Sequence, residues 1–122
     1  MTVEKINLSE KFGKLPAGDY AVRLVAKINN YDLKIVKFKG DFIWHSHPDT
    51  DETFIIMEGT LVMNFRDRKV EVRPGEMIVI SKGVEHKPSS KNGYKALLIE
   101  PEGVSNTGNV RSEITIEKFE WV

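Results

Sequence analysis

Apolar residues along this chain recur mostly at every second position. Between Asp32 and Lys39, Leu33 and Ile35 fall on one side, while Val36 and Phe38 share the other with Lys34. Leu61, Met63 and Phe65 alternate in the same way with Val62, Asn64 and Arg66. A two-residue period predicts strands whose faces meet different surroundings. Further strands are expected over Tyr20–Ile28, Thr53–Glu58, Thr60–Arg66, Lys69–Arg73, Met77–Ile80, His86–Pro88 and Tyr94–Glu100. Turn signals stand between them at Pro16-Ala17-Gly18-Asp19, Asn29-Asn30, Gly40-Asp41, Glu58-Gly59, Asp67-Arg68 and Pro74-Gly75. Gly40-Asp41 is read as the turn into a strand carrying Phe42, Ile43, Trp44, His45 and His47. Glu58-Gly59 is read as a tight hairpin in which glycine takes positive φ.

The two ends are less regular. Residues 1–19 carry a sparse apolar pattern (Val3, Ile6, Leu8, Phe12, Leu15), which suggests an edge strand and an irregular arm. From Pro101 onward glycine and asparagine predict loop, and the closing stretch Ile114–Trp121 leaves Phe119 and Trp121 at exposed-looking positions. Outside the termini no segment holds a helical period over about 11 residues. Short strands separated by glycine and proline turns predict an all-β antiparallel sandwich or barrel.

Composition narrows the function classes. A chain of 122 residues fits one domain, 1–122. Eighteen basic residues balance eighteen acidic ones, so no global field attracts nucleic acid or a membrane. The absence of cysteine excludes disulfides and thiolate zinc sites. No apolar run approaches the roughly 20 residues of a membrane helix. The start, Met1-Thr2-Val3-Glu4-Lys5, lacks the layout of a signal peptide, and the expectation is a soluble cytoplasmic protein.

The candidate chemistry is concentrated in two places. The sequence has three histidines, His45 and His47 in His45-Ser46-His47-Pro48-Asp49-Thr50-Asp51-Glu52, and His86 in Gly83-Val84-Glu85-His86. On a strand His45 and His47 leave the same face, roughly 7 Å apart at Cα, so two neutral imidazoles can converge on one ion. Glu52 rejoins that face only after a turn, and His86 only if the chain folds back. The hypothesis is a mononuclear metal site of three imidazoles and one carboxylate. Against it stands the plainer view that the pair are ordinary surface or satisfied core histidines and that Asp49, Asp51 and Glu52 form a solvated acidic loop, since an HxH pair alone is a weak signal.

Taken with the glycine spacing, the arrangement resembles the two motifs of the cupin superfamily, G-x5-H-x-H-x(3,4)-E-x6-G and G-x5-P-x-G-x2-H-x3-N. Gly40, His45, His47, Glu52 and Gly59 match the first, and Gly75, Gly83 and His86 match the second. Gly40 lies one residue closer to His45 than the pattern asks, Ser81 replaces the motif proline and Ser90 the final asparagine. The resemblance covers about residues 32–100 and implies a six-stranded β-barrel within a jelly roll, flanked by an N-terminal arm (1–30) and a C-terminal tail (101–122). The tail around Ser105-Asn106-Thr107-Gly108-Asn109 resembles that of small bacterial cupins labelled mannose-6-phosphate isomerase-like.

Imidazole and carboxylate ligands suit one divalent Mn, Fe, Ni, Zn or Cu ion without choosing among them. Four protein donors leave two positions of an octahedron for water or a bidentate substrate. The expected role is enzymatic, on a small oxygenated organic molecule, by oxygenase, isomerase or epimerase, or decarboxylase chemistry. A non-catalytic metal-dependent sugar or metabolite sensor and a closed structural site are the alternatives. Ile43, Phe54 and Ile56 are expected to line the pocket. Arg66, Arg68 and Arg73 read as solvated edges, so no phosphosugar is indicated. Apolar ends at Ile114, Ile116, Phe119 and Trp121 need cover, which predicts a homodimer.

Overall fold

The computed structural model describes residues 3–122. Helix α1 (Leu8–Gly13) precedes strands β1 (Tyr20–Ile28), β2 (Tyr31–Asp41), β3 (Glu52–Gly59), β4 (Leu61–Asn64), β5 (Lys69–Val72), β6 (Met77–Ile80) and β7 (Lys87–Pro101). All strand pairs are antiparallel. The order is β1-β2-β7-β3-β6, with β4 joining β5 to the start of β7. This is the expected jelly roll, although its hydrogen bonding does not close into a ring. Among the described residues no helix is long and apolar enough to cross a membrane.

Strand β7 organises the sheet. Its first residues, Lys87–Ser89, pair with β4, and the stretch from Ser89 to Pro101 pairs with β2. Tyr94–Ile99 also pairs with β3. The two strands expected over His86–Pro88 and Tyr94–Glu100 are therefore one. The hairpin expected at Glu58-Gly59 does not form. β3 bonds to β6 and β7 but not to β4, because the chain crosses over at this point. Gly59 is still required there, with φ 74° and its Cα pressed against the backbone of Gly93 and Tyr94. A Cβ would overlap the Gly93 carbonyl oxygen and come within 2.9 Å of Tyr94 Cα.

The edge strand expected near the start is instead helix α1. Asn7 caps it, its side chain accepting from Glu10 N at 3.1 Å. Leu8 and Phe12, four residues apart, share one helical side, and Leu15 just past the helix end joins them. There they meet Ala21, Val25 and Ile35 in a small cluster outside the main core. So short a repeat is easily read as irregular chain.

The two faces of β2 separate as the alternation predicts. Ile35 joins the outer cluster, while Val36 and Phe38 enter the main core with Phe54, Ile56 and Leu61. Lys34 is carried inward with them. Its Nζ lies 2.7 Å from Glu100 Oε1, and both side chains are 0% exposed. The same ammonium sits 3.7 Å above the Phe119 ring.

That contact shows where the tail goes. Ile116 and Phe119 pack on the main core of their own chain, so the cover sought for Phe119 is intramolecular. Trp121 keeps 55% of its surface exposed. Its neighbours zip onto β1 through Leu24 N to Glu120 O at 2.8 Å and Val122 N to Leu24 O at 3.1 Å. Asn106 fastens the tail from inside. Its Oδ1 accepts from Ile116 N at 2.6 Å, while its Nδ2 donates to Tyr20 OH at 3.0 Å and to Ile114 O at 2.8 Å.

Candidate metal centre

His45, His47, Glu52 and His86 converge, all four buried, with one candidate donor atom from each lying within 4.8 Å of the others. Two donors across an ion about 2.1 Å from each span roughly 4.2 Å, so a slight contraction brings all four into bonding range. His45 and His47 are 3% and 4% exposed, so they are not a surface pair; whether they are satisfied core histidines turns on their hydrogen bonds.

The positioning differs from the expected histidine-bearing strand. Gly40 and Asp41 still belong to β2, beyond a register shift after Phe38. Phe42 to Trp44 form no ladder, although Phe42 N donates to Pro88 O at 2.9 Å. His45 then pairs with His86 in an isolated antiparallel bridge, through His45 N to His86 O at 3.0 Å and His86 N to His45 O at 2.9 Å. Two candidate ligands distant in sequence are thus tied backbone to backbone. His47 lies beyond the bridge, its carbonyl accepting from Gly83 N at 2.9 Å. Glu52 opens β3 opposite Ile80.

Asp51, read as part of a solvated acidic loop, accepts from Lys82 N at 2.9 Å. It fastens the turn that leads to His86, where the motif proline is replaced by Ser81. Ser90, in place of the motif asparagine, donates to Thr60 O at 2.7 Å and accepts from Gly93 N at 3.0 Å. Both serine substitutions in the second motif are locally compensated.

Two imidazoles are held in one tautomer by their own chain. His45 Nδ1 lies 2.8 Å from Ile43 O and His86 Nδ1 2.9 Å from Val84 O. An Nδ1–H donating to each carbonyl leaves Nε2 as the lone-pair nitrogen, which a metal requires. His86 Nε2 stands 3.0 Å from Glu52 Oε1, and His47 Nε2 stands 3.1 Å from Glu52 Oε2. The His47 approach lacks hydrogen-bond direction, and both of its buried ring nitrogens are without a partner among the described residues. Buried polar atoms are rarely left this way. Lone pairs crowded around one point suit a shared cation.

Electrostatics divides these groups. Burial, reinforced by the neighbouring His86, pushes His45 down to about 4, so it is neutral at neutral pH. Burial opposes the charge on His47 too, but the Glu52 carboxylate outweighs it and His47 is raised. Burial alone would raise Glu52, yet His47 and His86 hold it well below the usual carboxylate range. Glu100 goes the other way. Burial and the nearby Glu52 charge raise it to about 7, with Lys34 only partly opposing. Across the β3–β7 ladder the two acids each lie one residue beyond the Thr53–Ile99 pair.

Beside His45 and Glu52 lies a cavity of about 30 Å³ walled by Phe42, Phe54, Leu98 and Phe119, among others. Phe54 is where the sequence placed it. Phe42 takes the place expected for Ile43, because an irregular segment does not keep strand parity, and Ile56 is wholly within the core. Tyr20 and Asn106 also face this space. Sequence reading missed both of them, as it missed Gly108 and Asn109 of the tail, which pack on the His45–His47 segment. An asparagine- and glycine-rich stretch predicts turns but not what those turns touch.

A cupin-domain family profile matches residues 34–99, more than half of the chain. The uncharacterized protein YdbB of Bacillus subtilis (strain 168) is 34% identical over 67 residues, which cover 54% of this chain and 59% of that one. The chain therefore matches only about three-fifths of that relative's length. A cupin-2 domain containing protein from Shewanella frigidimarina NCIMB 400 superposes with TM-score 0.76 at 49% identity, covering 79% of this chain and 93% of that one. Protein NMB1881 from Neisseria meningitidis gives TM-score 0.73 at 31% identity, covering 80% and 99% respectively. The interleaved strands, the buried His-His-Glu-His cluster and the family match all agree: the chain belongs to the cupin superfamily.

Proposed function

We propose that the protein is a metal-dependent cupin acting on a small oxygenated organic molecule, with His45, His47, Glu52 and His86 holding one divalent first-row transition ion. The observation that supports this best is the orphaned His47 imidazole beside the fully buried Glu52 carboxylate. When bound, such an ion supplies Lewis-acid polarisation of a substrate oxygen or acidifies a water. The chain supplies the rest. Phe42, Phe54, Leu98 and Phe119 exclude bulk water from the face next to His45. The Tyr20 hydroxyl, steadied by Asn106, is raised to about 12 by burial and so remains a neutral hydrogen-bonding group at neutral pH.

Size restricts the substrate. About 30 Å³ holds one water, whereas pockets for drug-sized ligands run to roughly 300–1,000 Å³. A phosphosugar does not fit this cavity. A wider open depression of about 360 Å³ lies beside His47, lined also by Ser105, Gly108 and Glu117, with no lysine or arginine among the described residues around it to hold a phosphate, so the mannose-6-phosphate isomerase-like reading gains no support. Oxygenation, isomerisation or epimerisation, and decarboxylation of compact substrates are the candidate reactions. The same tight cavity favours a second reading, a metal-dependent binding module or structural metal site without turnover.

Elemental analysis of protein purified from its native host tests the metal. About one transition ion per chain is expected, and a chain that takes up none even after reconstitution overturns the proposal. Exchangeable water on the bound ion, with turnover in a panel of small keto acids and diols, separates enzyme from binding module. We also propose a homodimer, supported by the edge strand β6, where Met77 and Val79 are 57% and 51% exposed. A concentration-independent monomer mass in light scattering would refute it.

A further inference from the structure

The tail does more than cover the core, because it grips the segment that carries two of the candidate ligands. Ser46, between His45 and His47, donates its N–H to Asn109 Oδ1 at 2.9 Å. Asn109 N donates back to Ser46 O at 2.9 Å. The pair fixes this one peptide segment from both sides. Gly108 comes in directly beneath it. A Cβ at this position would overlap the Ser46 carbonyl oxygen and stand 3.1 Å from His47 Nδ1. Side chain and backbone of one short turn therefore set how closely the tail approaches the imidazole.

His47 needs this more than its partners do. His45 and His86 are each held through Nδ1 by a carbonyl two residues earlier. His47 has no such bond, and both its ring nitrogens are unpartnered. Beyond the bond from Gly83 N to its own carbonyl, its placement depends on the backbone of Ser46 and on packing from Gly108. We propose that Asn109 and Gly108 are positioning residues of the metal centre, holding His47 where it can share an ion with the other three donors. The inference rests on the metal-centre reading above. It adds a second role to the tail, which elsewhere is secured independently by Asn106, whose Nδ2 donates to Tyr20 OH at 3.0 Å, and by the Glu120 and Val122 backbone bonds to Leu24 of β1. Removing the Asn109 side chain therefore loosens the grip on Ser46 without releasing the tail.

The test uses the full chain and Co(II) as probe, with affinity from calorimetry and coordination from the visible d–d bands. Partners outside the ligand shell typically change metal affinity by about 10–100-fold. N109A is expected to weaken Co(II) binding by about that factor. N109D, which keeps an acceptor for Ser46 N–H, is expected to restore it to within about threefold of wild type by that same scale. In the H47A background N109A is expected to have no further effect, because its action passes through His47. Should H47A bind too weakly to measure, G108A is expected to reproduce the N109A loss and the same spectral change.

The proposal is overturned if N109A binds within about twofold of wild type while its apo melting temperature falls, since the bond would then be purely structural. It is equally overturned if N109A and H47A weaken binding additively. Failure of the wild-type protein to bind Co(II) or any other transition ion would instead remove the metal-centre reading, and this inference with it.

Discussion

The buried Lys34–Glu100 pair allows a sharp prediction. Its two charges lie 2.7 Å apart with no solvent exposure, inside a sheet whose neighbouring inward positions are Val36, Phe38 and Leu98. Replacing Lys34 with methionine keeps most of the apolar stem, but removes the ammonium from above the Phe119 ring and strands a carboxylate in the core. Breaking a buried pair in this way costs about 3–5 kcal/mol, a large part of a typical total of about 5–15 kcal/mol. For a domain of this size that corresponds to a fall in Tm of roughly 10–20 °C. The double variant Lys34→Met/Glu100→Leu removes both charges and is expected to lie near wild type or above it. The cost should also depend on pH. Glu100 is already raised to about 7, and losing Lys34 raises it further. The acid is then neutral in folded K34M at pH 5 and forced towards ionisation at pH 8, so K34M is penalised more at the higher pH. Urea denaturation of the apo forms at both pH values gives all the terms. A single-variant cost under about 1 kcal/mol, or a double variant as unstable as K34M, would refute the reasoning.

Three further outcomes follow from the geometry. Metal affinity should weaken as pH falls, starting above the ordinary imidazole value of about 6.5, since Glu52 stays ionised and the raised His47 is the imidazole that takes up a competing proton; calorimetric titrations at pH 8, 6.5 and 5.5 that gave one affinity would contradict this. Gly59→Ala must hold φ at 74° and displace the Gly93 backbone, so a loss above about 2 kcal/mol is expected in urea unfolding, and an unchanged midpoint would count against it. Phe119→Ala removes a half-buried wall of the cavity and should cost about 2 kcal/mol, less than a fully buried phenylalanine. The same change should speed extraction of bound metal by a chelator, and an unaltered extraction rate would separate Phe119 from access to the centre.

Much of the centre could be read from the chain. The four candidate donors were named by spacing and by the glycine pattern, and alternation in β2 put Lys34 on the same face as Val36 and Phe38, though it did not show that this face is the inner one. What stayed hidden was set by tertiary contact. Two-residue parity assigned Ile43 to the cavity, but the segment before His45 has no ladder to enforce it and Phe42 takes the place. The glycine at 59 implied a hairpin because local sequence does not show that β7 has claimed β3 on one side and β4 on another. The helix at Leu8–Gly13 is too short for its period to stand out, and Asn7 is its clearest mark. The asparagines of the tail looked like loop chemistry, although Asn106 and Asn109 each spend their side chains on distant backbone or hydroxyl groups.

The length of β7 also has a consequence for synthesis. This strand comes last in the sheet yet supplies a neighbour to β2, β3 and β4 at once. While the chain is still emerging from the ribosome, those earlier strands present open edges with apolar side chains and no shared mate. Pairing over such separations is slow to nucleate. The nascent chain should therefore depend on holdase protection until residue 101 clears the exit tunnel, and truncations that interrupt β7 should precipitate rather than form a partial fold.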